Sequence, residues 1–486
     1  MTTYHIDAEL GDDRNSGTSA DKPWLTLARI RRQPLRPGDT VLLRRGRTWT
    51  EQLRISGSGR KDRLITLGTY GAGPRPRIMA DRFPVVANDG PVSWWRIKGL
   101  EVRGVAAFDP HGQEQNLQHG IAISQAVPSQ GMTIEDCVVH DVGGKGILFN
   151  AERTGITVFT GWTVSGCEVY NAGTGIATDG PWPPPADLQD VFRCHDRCVV
   201  ERCRTHDIAT DGIVLYYCQD GMVDHCLAWR TGVGRTGRTP VGIWFFLAQR
   251  CIIQHCESYD NHTAGGKADG GGFDLDGGCV ECIMQYNYSH DNDGAGYLVC
   301  SYDPAKAPTT RCITRYNLSV NDGRMNDYAA IQLWQANDCT FHNNTCITRL
   351  SAPLKFASDS SGLLFANNVF IVDTDSDVPL VKSPFAISAN RFLNNLYWRS
   401  GGKTHFEIQN EPRLNLKAFA ALTGADHEIS VDPRLSALHG RDIHPRNGSR
   451  LIHSGWYVPG DPGHDLYGVP LSKTEPPNIG ASQRAT

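Results

Sequence analysis

Between residues 130 and 400 one unit recurs: an apolar triplet, a Cys or Asn, a second short strand, a polar turn, then Gly-apolar-x-apolar. It reads MTIEDCVVHDVGGKGILF, then CVVERCRTHDIATDGIVL, then CIIQHCESYDNHTAGGKADGGGFDL. One column through the copies holds Cys137, Cys167, Cys203, Cys226, Cys256, Asn287, Asn317, Asn344, Asn368 and Asn395. Its members lie 23 to 36 residues apart, the length of one coil of a β-solenoid whose loops vary. Such a chain grows by stacking, so its 486 residues do not force a second domain.

A second column, five residues earlier, holds Cys198, Cys251, Cys282, Cys312 and Cys339. Equivalent residues of stacked coils lie about 4.8 Å apart, so these thiols form interior ladders of small apolar groups. The asparagines continue the first ladder, with each amide bonding to the coils above and below. Cys279 and Cys282 make a lone CxxC, but Cys282 belongs to a ladder and no second pair has matching spacing, so a metal site is not expected there. Helical spacing is confined to LTLARI near residue 25 and LKAFAAL near residue 416. An open solenoid needs its ends covered, so the reading is a cap over 1–39, a β-helix over 40–400, and a cap and tail over 401–486.

A net charge of −4 supplies no broad basic field, so nucleic acid is not an expected partner. No run of about 18 apolar residues appears, and Met1 to Ala20 lacks the basic start and apolar middle of a secretion signal. A soluble protein without a membrane partner is expected, secreted or periplasmic if a leader has been trimmed and cytoplasmic otherwise. Oligomeric state is not readable.

The opening YHIDAELGDDRNSGTSADKPWLTLARI with LRPGDTVLLRRG, and the ending GSRLIHSGWYVPGDPGHDLYGVPLSKTEPPNIGASQ, resemble the terminal modules of bacterial proteins of the pectate-lyase-like superfamily. The resemblance implies an all-β, right-handed parallel β-helix acting on carbohydrate. It leaves the reaction open, because glycoside hydrolases, polysaccharide lyases, epimerases and phage tailspikes share the fold.

Strand alternation after the repeat's glycine sends every second side chain outward. One outward row reads Val214, Trp244, Asp274, Leu298, Gln332; the next reads Asp179, Tyr216, Phe246, Asp276, Cys300, Trp334. Between them Ile213, Ile243, Phe273, Leu275 and Leu333 point inward. Tyr216, Trp244, Phe246 and Trp334 would flank two carboxylates, as a saccharide groove requires, unless loops cover them and make them satellite core. Asp179, Gln332, Lys267 and His290 complete the expected binding residues. Asp274 and Asp276 stand about 6.6 Å apart along one strand, a spacing between the windows for retaining and inverting glycosidases. Asp269 and Asp293 are expected to assist; Asp211, His262 and Arg324 lie in the same or adjoining turns.

The expected activity is hydrolysis of a polysaccharide or oligosaccharide by paired carboxylates without a cofactor. A calcium-dependent lyase acting on a uronate polymer, with Lys267 as base, is the alternative. The stretch GGGFDLDGG resembles the DDGFDL-like stretch of one calcium-dependent pectate lyase family, but Gly270 and Gly271 replace its paired aspartates. A non-catalytic glycan-binding shaft is the third reading. The stretch Phe108 to His111 is similar to the DPH motif of mannuronan C5-epimerases, a match of only three letters taken as chance.

Overall fold

The computed structural model describes residues 1–88, 90–112, 118–152, 156–180, 193–409 and 411–483. Among these the chain forms two compact units. One runs to Leu227 and includes Val233–Thr236; the other comprises Ala228–Gly232 and the chain from Gly237 onward.

In the first unit, successive coils align Thr3–Ile6, Thr40–Arg44, Ile65–Tyr70, Trp95–Lys98, Thr133–Glu135, Thr163–Ser165, Val199–Glu201 and Met222–Asp224 as parallel neighbours. The short helix Ala28–Arg32 lies slightly later than LTLARI suggested.

In the second unit three parallel columns build the coils. The first runs Ile252–Gln254, Ile283–Gln285, Ile313–Arg315, Thr340–His342, Leu364–Ala366 and Arg391–Leu393. The second runs Glu257–Tyr259, Tyr288–His290, Leu318–Val320, Thr345–Thr348, Val369–Val372 and Leu396–Arg399. The third, which carries the acidic residues, runs Val241–Phe246, Gly271–Leu275, Tyr297–Cys300, Ile331–Trp334, Leu354–Phe356, Val381–Ser383 and Phe406–Ile408. Glu411–Leu414 then pairs antiparallel with Phe406–Ile408 and ends the stacking, and helix Leu416–Thr423 packs Phe419 on Phe406 at 4.3 Å.

The inward residues Ile243, Phe273, Leu275, Ile331 and Leu333 are fully buried, and all fifteen cysteines are buried with no disulfide. The amide ladder is continuous. Asn287 Nδ2 donates to Asn317 Oδ1 at 3.1 Å, Asn317 to Asn344 at 3.1 Å, Asn344 to Asn368 at 3.0 Å and Asn368 to Asn395 at 2.9 Å. It ends on Glu428, which accepts from Asn395 Nδ2 at 3.2 Å and whose carboxyl burial pushes up to about 8. The residue before each column member turns left-handed, from Asp136 through His255, Tyr286 and Tyr316 to Asn343, Asn367 and Asn394. That conformation is costly for residues other than Gly and Asn, and the amide ladder next to it holds it.

Those last three asparagines do a second job. Asn343, Asn367 and Asn394 donate to the backbone carbonyls of Asn478, Trp456 and Ser454. The tail thereby lies against the second column, with Ile443, Leu451, Leu466 and Ile479 buried among Tyr286, Leu318, Ile347 and Val369.

A polar ladder missed in the sequence explains the repeat's glycine. Asn261 donates to Asn292 and Asn292 to Asp322, both at 2.7 Å, with Ser258, Ser289 and Ser319 bonded alongside. A Cβ at Gly272 would stand 2.3 Å from Ser289 Oγ, and one at Gly242 would stand 2.0 Å from Ser258 Oγ. Only glycine lets the acidic strand pass this ladder.

Candidate active site

Register places Trp244, Asp274, Leu298 and Gln332 in one row, followed by Lys355, Lys382 and Glu407. Asp276 follows the Gly271–Leu275 strand, and Cys300 pairs with Trp334 in the next row. The expected map therefore holds, but the expected open face does not. Asp274 is 2 % exposed, Asp276 4 %, Gln332 5 % and Trp244 8 %. Tyrosines from loops account for part of this cover: Tyr302 hydroxyl donates to Asp276 Oδ2 at 2.9 Å, and Tyr328 hydroxyl donates to Asp269 Oδ1 at 2.9 Å.

One oxygen each of Asp274 and Asp276 and the Cys300 sulfur lie within 4.8 Å of one another. Asp276 Oδ1 accepts from Gly277 N at 2.6 Å and Cys300 Sγ at 2.8 Å, while Thr309 Oγ1 donates to the Asp276 carbonyl at 3.0 Å. Burial outweighs these donors and pushes the Asp276 carboxyl up to about 6. Asp269, in a left-handed turn before the strand, is also raised by burial, against the opposing bond from Tyr328. Burial, and then the charges of Asp276 and Asp274, keep the Cys300 thiol protonated.

Downstream of the acids opens a cavity of about 580 Å³, lined among others by Lys267, Tyr328, Gln332, Trp334, Lys355 and Lys382. This volume is typical of small-ligand sites. Gln332 Oε1 is buried and has no hydrogen-bond partner among the described residues, and Trp334 is 45 % exposed beside it.

Other expected residues stand elsewhere. Asp293 is held by Arg324 and His262, each at 3.1 Å, as an ion-pair cluster. His290 belongs to the second column, stacked on Tyr259; although burial opposes its charge, bonds to Asp291 and Glu257 push it up to about 9. Phe246 is half-buried, and Trp244 is buried and not an open platform. Asp179 and Tyr216 belong to the first unit, where Asp179 pairs with Lys145. Asp109 accepts from the His111 amide at 3.0 Å, an ordinary Asx turn. Sequence reading did not single out Tyr302, Tyr328 or the bond from Cys300 to Asp276. Carrying the alternation two residues past Cys300 would have found Tyr302.

A family model described as a right handed beta helix region matches residues 190–346. The chain is a right-handed parallel β-helix. Among curated proteins, this β-helix is 24 % identical over 567 residues to a protein named lacto-N-biosidase from Bifidobacterium longum subsp. longum, covering 94 % of this chain and 34 % of that one. The chain thus spans about a third of the length of that relative. Among solved structures, the native GH136 lacto-N-biosidase from Eubacterium ramulus superposes with a TM-score of 0.58 at 19 % identity, over 78 % of this chain and 65 % of that one. The complex of XylC with xylose gives 0.56 at 12 % identity, over 99 % and 98 %. At these identities the structural likeness concerns the β-helix itself. Among its described residues, no helix is long and apolar enough to cross a membrane.

Proposed function

We propose that the protein is a glycoside hydrolase cleaving an oligosaccharide or polysaccharide. The observation that carries this reading is the buried Asp276 carboxyl, held by three donors and raised to about 6 by burial and by the nearby charge of Asp269. The likeness to a protein named lacto-N-biosidase supports it. So does the cavity, where Trp334 offers a sugar a stacking face.

Asp276 serves as the carboxylate, since three donors orient its oxygens. Asp269 serves as the acid: burial favours its protonated form, and its neighbours Lys267, Ala268 and Tyr328 line the cavity. Asp274, nearly sealed, lies beside Asp276, with one oxygen of each within 4.8 Å. No cofactor is invoked.

A panel of neutral and uronate-containing oligosaccharides tests the reaction. Reducing ends should appear without an unsaturated uronide product, and kcat/KM should fall as pH drops through about 6, because Asp276 must be ionised and protonation removes it. An unsaturated product would make the protein a lyase and direct attention to Lys267. Asp269→Asn should slow natural substrates by about 10²-fold or more yet spare an aryl glycoside whose leaving group needs no proton. Equal losses on both substrates would remove Asp269 from the acid role.

A further inference from the structure

The two oxygens of Asp276 are held differently. Oδ1 accepts a backbone amide at 2.6 Å and a thiol at 2.8 Å, both from buried groups. Oδ2 accepts from Tyr302 at 2.9 Å, and Tyr302 is 63 % exposed. Tyr302 begins a loop tied at its base: Ser301 N donates to Trp334 O, Ser301 Oγ to Ala307 O, and Gly278 N to Ala307 O. A Cβ built on Gly277 would meet Phe246 at 3.3 Å and Tyr302 at 3.5 Å, so the tyrosine ring lies directly over the turn that follows the acid. The loop base is anchored while the ring faces solvent.

Resting on the hydrolase reading, we infer that Cys300 and Tyr302 are positioning residues of Asp276. The Cys300 thiol fixes Oδ1, and the Tyr302 hydroxyl caps Oδ2, the reacting oxygen, until substrate replaces it. A carboxylate on this face would otherwise rotate about its terminal torsion, which is soft. Two donors on Oδ1 hold the plane while Oδ2 gives up its single side-chain donor, so the acid is released without being loosened. Among the described residues, the other titratable groups reaching this carboxyl include Asp269, Asp274 and Cys279, none of them cationic, so the donors are what favour its ionised form. The thiol is suited to this task because burial and the two carboxylates hold it protonated.

The test compares Tyr302→Phe, Cys300→Ala and Cys300→Ser with Asp276→Asn in the full chain, following kcat, KM and the acid limb of kcat/KM. Losing either donor should lower kcat by about tenfold or more with KM changed little, and should move the acid limb upward by about one pH unit. Cys300→Ser, which keeps a donor at that place, should recover most of the loss. Tyr302 is exposed, so Tyr302→Phe remains informative if Cys300→Ala fails to fold. Unchanged kcat and an unmoved acid limb in Tyr302→Phe, with Asp276→Asn inactive, overturn the positioning role and leave the hydrolase reading standing. A fully active Asp276→Asn removes Asp276 as the catalytic carboxylate and this inference with it, whereas absence of reducing ends with the wild-type chain would remove the hydrolase reading itself.

Discussion

Asp276→Asn is expected to lower kcat by about 10³-fold or more while the protein melts no lower than wild type above pH 6. The catalytic half follows from losing a carboxylate that three donors orient on both oxygens. The stability half follows from burial. The folded-state carboxyl titrates near 6, above its ordinary 3.8, so wild type has its full contribution below about 4 and loses it as pH climbs to 6. An asparagine has nothing to ionise and escapes that loss. Activity assays paired with melting curves at pH 5 and 8 separate the two effects. A variant melting well below wild type at pH 8 would mark Asp276 as a structural group.

Asn317→Leu should do the opposite, costing about 3–5 kcal/mol of stability and altering the chemistry only through unfolding. Asn317 Oδ1 accepts from both Asn287 N and Asn287 Nδ2, and its own amide donates to Met284 O and Asn344 Oδ1. Leucine fits the volume but leaves two donors and a carbonyl buried without partners. Denaturant titration should show an earlier midpoint; an unchanged midpoint would mean the ladder contributes nothing.

These two residues also show what a sequence reader can reach. Asn317 was legible because a ladder repeats, and the pairing of each coil with the next leaves its trace in a single column. Asp274 and Asp276 were legible as outward residues because alternation is strict in a strand. Their burial was not, since it depends on loops. Tyr302 lies 26 residues from Asp276, and Tyr328 lies 59 from Asp269, with no periodicity linking either pair. His290 shows the opposite failure. Its place in the chain between two site strands suggested nearness, but a coil turns its successive strands onto different faces, so neighbours in sequence separate in space. Trp244 fits the row and still misses the role, because alternation gives a direction and says nothing about what lies above.

The tail bound by Asn343, Asn367 and Asn394 bears on synthesis. Each coil needs only the next about 30 residues to complete its amide bonds, so stacking can follow the ribosome. Asn343, however, waits for Asn478, 135 positions later, and until then three amides and the apolar side chains around Tyr286 and Val369 stand open to water. A nascent chain halted between those points has a finished acidic site and an adhesive flank, which is the stage at which chaperone capture or mispairing between chains competes with completion.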